Sequence, residues 1–261
     1  MSEEVRERGE MPFLDHLEEL RWRIVWSLVA VLVGCVVGFF LVDKLDVVGL
    51  LKRPVSPYLA VTNQRLVFTN PTDPILLTFK LAFAVGLLLA LPVLAYQVWA
   101  FLSPALYPRE RRAVLPVTIV AVILFCGGAV LAYLWVLPLA LKVSFSFQSQ
   151  ALAPLITADG YFGFATMVVV AFGAVFELPL LLALLIYLRI LSADFLSRHR
   201  RIAIVANAIV SAFLTPADVV SMLLMMIPIQ LFYEISIVVA RVLEGRRARA
   251  ARAEAAAASA E

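Results

Sequence analysis

Charge is scarce in this chain. Of 261 residues only 16% are Asp, Glu, Lys or Arg, against about 25% in an ordinary soluble domain. Hydrophobic residues make up 63% and mean hydropathy is +0.95, so polar groups are too few to cover a water-soluble globule. Histidine and cysteine are scarcer still, at two each. His16 and His199 flank apolar runs, and no run holds a Ser–His pairing, an HExxH or a Cys/His set with zinc spacing. A P-loop and a GxGxxG are also missing. These absences argue against an intramembrane protease, a metalloenzyme or an ATPase. No catalytic residue, metal or cofactor is expected, and a binding or transport role is favoured. Cys35 and Cys126 lie inside apolar runs and read as packing residues rather than a disulfide. The segment from Met1 to Arg23 is charged and lacks a short apolar region followed by small residues, so no cleavable signal peptide is expected.

What the chain does have is long apolar runs. They predict an all-α polytopic membrane protein with six transmembrane helices at 24–42, 75–102, 113–140, 161–188, 202–214 and 219–240. A β-barrel is disfavoured because the runs are continuous rather than alternating. The fifth span has only 13 residues, about 20 Å as a helix, and Thr215-Pro216-Ala217-Asp218 turns it tightly into the sixth. Sixteen of the 22 Lys and Arg fall on the N-terminal flank, the 103–112 and 189–201 loops and the C-terminal tail, against five on the other side. With an even number of spans, that bias puts both termini in the cytoplasm. It also explains the net charge of +3 without a nucleic-acid partner.

Pro92, Pro116, Pro138, Pro179 and Pro228 each remove an amide donor from a span. Together they predict kinked helices in a bundle with a concave face. Gly34 and Gly38 form a GxxxG spacing, and Gly127-Gly128 lie in the third span; both predict close helix contacts. Residues 1–245 read as one transmembrane domain, and 246–261 as a mobile cytoplasmic tail rich in Ala and Arg.

Three carboxylate sites call for explanation. Phe13, Leu14, Leu17 and Leu20 make an apolar stripe that predicts an interfacial helix leading into the first span, with Glu18 and Glu19 near the headgroups. The plain alternative for Glu19 is a pair with Arg23 one turn on. Glu110, two residues after Pro108, suits the first turn of a helix, where an acid favours the dipole. Two acids at one membrane surface also suit a dibasic ligand, since a guanidinium offers forked donors to a carboxylate. Glu177 stands mid-span, where a charge costs at least about 2.5–3.5 kcal/mol, so it is expected to be protonated, paired or wetted by a polar groove. Gln230 and Glu234 form a second intramembrane polar stripe. Lys80 is a candidate partner for either acid, or snorkels to the opposite interface.

His16-Leu17-Glu18-Glu19-Leu20-Arg21 is joined by Tyr96-Gln97-Val98-Trp99-Ala100-Phe101, Pro104-Ala105-Leu106-Tyr107 and Glu110-Arg111-Arg112. Further on come Phe172-Gly173, Phe176-Glu177-Leu178-Pro179 and Leu214-Thr215-Pro216-Ala217-Asp218. Over roughly residues 12–245 the chain resembles TatC, the polytopic subunit of the twin-arginine protein translocase. The resemblance implies a receptor in a bacterial or archaeal plasma membrane that binds twin-arginine signal peptides of folded cargo at the cytoplasmic face. It further implies TatA and TatB single-span partners, more than one copy in the complex, and export driven by the proton-motive force. Glu19 and Glu110 match signal-peptide contacts, with Glu18 and Phe101 close by. Glu177 matches a buried glutamate of the concave face, and Pro54 and Asp218 match assembly-sensitive positions. Met222 departs from relatives that often carry Gln, and a thioether cannot reproduce an amide's hydrogen bonds; Gln230 is a candidate substitute. The rival reading is a proton-coupled secondary transporter with Glu177 as its ion site. It predicts matching broken helices in two halves, and no such pairing is seen.

Overall fold

The apolar runs are helices in the computed structural model, which describes residues 13–59, 65–102, 114–146, 155–187, 191–214 and 219–258. In chain order these are α1 (Phe13–Lys44), α2 (Val47–Lys52), α3 (Asp73–Leu102), α4 (Val114–Leu131), α5 (Leu137–Ser146) and α6 (Ala158–Phe176). There follow α7 (Leu178–Tyr187), α8 (Ala193–Arg198), α9 (Arg200–Leu214) and α10 (Val219–Ala258). A 3₁₀ turn at Arg53–Tyr58 extends α2, and a π turn at Ala132–Val136 joins α4 to α5. The extended contact among the described residues is a lone bridge between Val67 and Thr157.

Five stretches are long and apolar enough to cross a bilayer: Leu17–Lys44, Asp73–Phe101, Leu115–Ser146, Ala158–Ile186 and Met222–Gly245. They correspond to five of the six expected spans. The remaining one lies in α9, whose 15 residues reach only about 22 Å, short of a hydrocarbon core of about 30 Å.

Several boundaries differ from expectation for identifiable reasons. The expected interfacial helix and the first span are one unbroken helix, because nothing between Phe13 and Lys44 removes an amide donor. The 189–201 segment is not a plain loop but holds α8, and a further short helix, α2, lies between the first two spans. Past Gly245, where the sequence suggests the domain ends, α10 continues to Ala258, since Ala and Arg are strong helix formers. The prolines act unequally. Pro92 and Pro228 sit inside continuous helices, and Pro116 is in the first described turn of α4. Pro138 follows the π turn, where the Leu137 amide reaches back five residues to Ala132 O. Pro179 follows the break between α6 and α7.

The chain divides into two compact units. The first joins residues up to Leu45 with Leu81–Val122. Its seam is made by glycines: a Cβ on Gly38 would lie 2.5 Å from Ala82 O, and one on Gly86 would lie 2.5 Å from Cys35 N. The backbones of α1 and α3 therefore touch, as the GxxxG spacing predicts. Elsewhere α1 exposes Leu28, Leu32, Val36 and Phe40, a surface suited to an apolar environment rather than to water.

The second unit joins Asp46–Lys80 with Ile123–Glu261. One core cluster packs Ala132, Val168, Ala171, Phe172 and Val175 against Met225 and Ile229 of α10. Another packs Ile186, Ala193 and Leu196 against Ile237 and Ala240. Of the two neighbouring glycines, Gly128 lies tight against Phe172 O, while Gly127 faces open space. Cys35 and Cys126 are both free thiols.

Candidate functional site

Near the start of α1, Glu18 is exposed and Glu19 is partly buried. Helical spacing brings Arg23 one turn on, and it clamps the Glu19 carboxylate: Nε donates to Oε1 at 3.0 Å and Nη2 forms an ion pair with the same oxygen. The third guanidinium nitrogen, Nη1, donates to Gln97 Oε1 of α3 at 3.2 Å. The pairing of Glu19 with Arg23, one of the two readings open from sequence, is therefore present, and Gln97 extends it across two helices. Phe101 lies one turn beyond Gln97 and is half-buried. Glu110 and Asp218 lie outside the described residues.

Glu177 sits at the junction of α6 and α7. Its amide donates to Ala174 O at 3.1 Å, a tightened last turn, and Pro179 behind it supplies no amide. Leu181 N picks up Glu177 O at 2.9 Å and restarts the helix. The carboxylate oxygen Oε1 is buried with no hydrogen-bond partner among the described residues. Around the junction, glycines admit aromatic rings. A Cβ on Gly173 would lie 2.6 Å from the Phe125 ring, and one on Gly128 would lie 2.7 Å from Phe176. Phe176 in turn meets Phe232 edge-on, ring centroids 4.4 Å apart.

Several other polar groups of the described spans have partners. Asn207 Nδ2 donates to Gln230 Oε1 at 2.7 Å, and Arg200 Nη2 lies 2.9 Å from Glu234 Oε2. These rungs tie α9 to α10 as an antiparallel pair. Lys80, a sequence candidate for either acid, instead pairs with Asp159 at the start of α6.

Pro54 occupies the 3₁₀ turn after α2. Having no N–H, it donates to neither Leu50 O nor Leu51 O, four and three residues back. Two tyrosine hydroxyls donate there instead: Tyr133 Oη to Leu50 O at 2.8 Å, and Tyr161 Oη to Leu51 O at 2.6 Å. Sequence reasoning missed Gln97, Asn207, Arg200, Tyr133 and Tyr161. A signal existed for two of them, because Arg200 and Asn207 are two turns apart and so share a face of a short apolar helix. For the tyrosines only the tertiary structure reveals the role.

Comparisons with known proteins agree with this architecture. The family described as Sec-independent protein translocase protein (TatC) matches residues 15–228. The TatC protein of Desulforapulum autotrophicum is 38% identical over 237 residues, 91% of this chain and 87% of its own. That of Aquifex aeolicus is 38% identical over 229 residues, covering 87% of this chain and 93% of its own. A crystal structure of the twin-arginine translocase receptor TatC in DDM superposes with a TM-score of 0.78 at 37% identity, over 86% of this chain and 99% of that one.

Proposed function

The chain belongs to the TatC family and is a multi-pass component of a Sec-independent protein translocase; from that premise we propose that it is the receptor for twin-arginine signal peptides. It works by binding and not by catalysis. It sits in a bacterial or archaeal plasma membrane with six spans and both termini in the cytoplasm, the orientation favoured by the Lys and Arg bias. The observation that carries the reading is at Glu19, whose carboxylate already holds a forked guanidinium between two helices.

The two signal-peptide arginines bind Glu19 and Glu110, with Glu18 adding negative potential and Phe101 apolar contact. Hydrogen bonds to charged groups contribute about 1.5–3 kcal/mol each, so two such contacts separate bound from free peptide by orders of magnitude. The apolar part of the signal peptide then lies along a concave face toward Glu177. The unpartnered Glu177 Oε1 supports that role, as a buried acceptor awaiting a polar group from an incoming helix. TatA and TatB helices complete the complex, which holds more than one copy of this chain, and the proton-motive force drives export. Pro54 and Asp218 maintain the assembly.

Photo-cross-linking in membranes tests the contact assignment. Glu19→Lys and Glu110→Lys are each expected to abolish cross-links to a twin-arginine precursor while the chain still inserts. Full cross-linking in both variants contradicts the reading.

A further inference from the structure

Resting on the reading of Glu19 as a guanidinium receptor, we propose that Arg23 is an internal competitor for that carboxylate and sets the discrimination between arginine and lysine in the ligand. Spacing along a helix explains a Glu–Arg pair by itself. It does not explain the third contact, in which Arg23 Nη1 donates at 3.2 Å to Gln97, 74 residues away in sequence. Arg23 thus spans two acceptors on two helices, Glu19 Oε1 through Nε and Nη2 and Gln97 Oε1 through Nη1. That geometry shows what shape of cation the cradle accepts: a planar fork with donors pointing apart.

Each side chain of the ion pair is 22% exposed, so the contact is reachable from water. A ligand arginine presents the same five donors as Arg23, and the exchange of one guanidinium for another is close to balanced. The rest of the peptide's contacts then decide binding. A ligand lysine presents a compact, strongly hydrated ammonium with all its donors on one nitrogen. It does not reproduce the bridge and loses the exchange. On a carboxylate from which Arg23 is removed, by contrast, attraction of opposite charges would admit either cation more readily. Gln97 has the complementary role of keeping Arg23 in register with Glu19.

The test uses the full chain in proteoliposomes and measures affinity for a twin-arginine peptide and its twin-lysine counterpart. Arg23→Gln is expected to raise twin-lysine affinity about tenfold, the equivalent of one charge-assisted contact, and twin-arginine affinity less, so that the ratio narrows. Since that variant also removes a positive charge, Gln97→Leu provides a neutral counterpart. It is expected to narrow the ratio in the same direction by about threefold, and it decides the matter alone if Arg23→Gln does not fold. A ratio unchanged in the folded variants, or twin-arginine affinity lowered by Arg23→Gln, overturns the proposal and leaves Arg23 as a residue that merely positions Glu19. Glu19→Gln tests the underlying reading separately: if it binds twin-arginine peptide like the unmodified chain, the assignment of Glu19 fails whatever Arg23 does.

Discussion

The hydroxyl of Tyr161 is worth more than its neighbours suggest, because it donates to a carbonyl that Pro54 leaves without its amide. Removing it strands a buried acceptor, whereas the Leu50 carbonyl, served by Tyr133, also accepts from the Arg53 amide. Tyr161→Phe is therefore expected to destabilise the protein by about 1–3 kcal/mol, and Tyr133→Phe by less, in thermal unfolding in detergent. Equal small effects would show that the hydroxyls do not substitute for the missing donor. Asp46 supplies a second residue-level constraint. It adopts a left-handed backbone (φ 45°) and caps α2 by accepting from Gly49 N at 3.1 Å. A Cβ at position 49 would run into that carboxylate, so Gly49→Ala is expected to lower the thermal midpoint, while Gly127→Ala, which meets open space, is not.

Among the elements, α9 and α10 show most clearly how polar groups are managed in an apolar setting. Two short-range rungs, Asn207–Gln230 and Arg200–Glu234, fix their register. Asn207→Leu is expected to cost about 0.6 kcal/mol and at most about 1.7 kcal/mol, the average and upper values for side-chain hydrogen bonds between membrane helices. The double variant Asn207→Leu/Gln230→Leu should recover part of that loss, because no amide is then left unpaired. Additive losses in a double-mutant cycle would show that the two amides do not interact. The α6–α7 junction is different in kind: its break comes from Pro179, and its carboxylate keeps one oxygen without a partner among the described residues. The long membrane helices were legible in the sequence, since apolar runs and Lys/Arg flanks mark them strongly, whereas the short α2 and α8 were not. The GxxxG pair was legible too, although its receiving residue, Gly86, carries no local signature. What was not legible were contacts made across distant sequence. Gln97 on Arg23, Asp159 on Lys80 and the two tyrosines on α2 all depend on which helices pack together. The extent of α10 was missed for a simpler reason: apolar periodicity marks where a helix is buried and says nothing of where an Ala- and Arg-rich helix stops.

At the scale of the whole molecule, five stretches are long and apolar enough to cross a bilayer, and the proposed signal-peptide site is placed at one face of that membrane. The proposed six-span topology, drawn from the Lys and Arg bias, puts both ends of the chain and the Glu19 region in one compartment. Single cysteines placed at positions 3 and 259 on a background lacking Cys35 and Cys126 are expected to resist an impermeant thiol reagent in intact cells and to react in inverted vesicles. A cysteine at position 63 should do the opposite. Labelling of 3 and 259 on different sides would break the six-span topology.

The central claim is that Glu19 receives an arginine of the signal peptide, and the most direct test places a photoreactive group beside the peptide's arginine pair and maps the cross-link on the chain. Adducts are expected in the first turns of α1 around Glu19, lost when both ligand arginines are lysines and lost again in Glu19→Gln. Adducts that persist in Glu19→Gln, or that fall only on other segments of the chain, would contradict it.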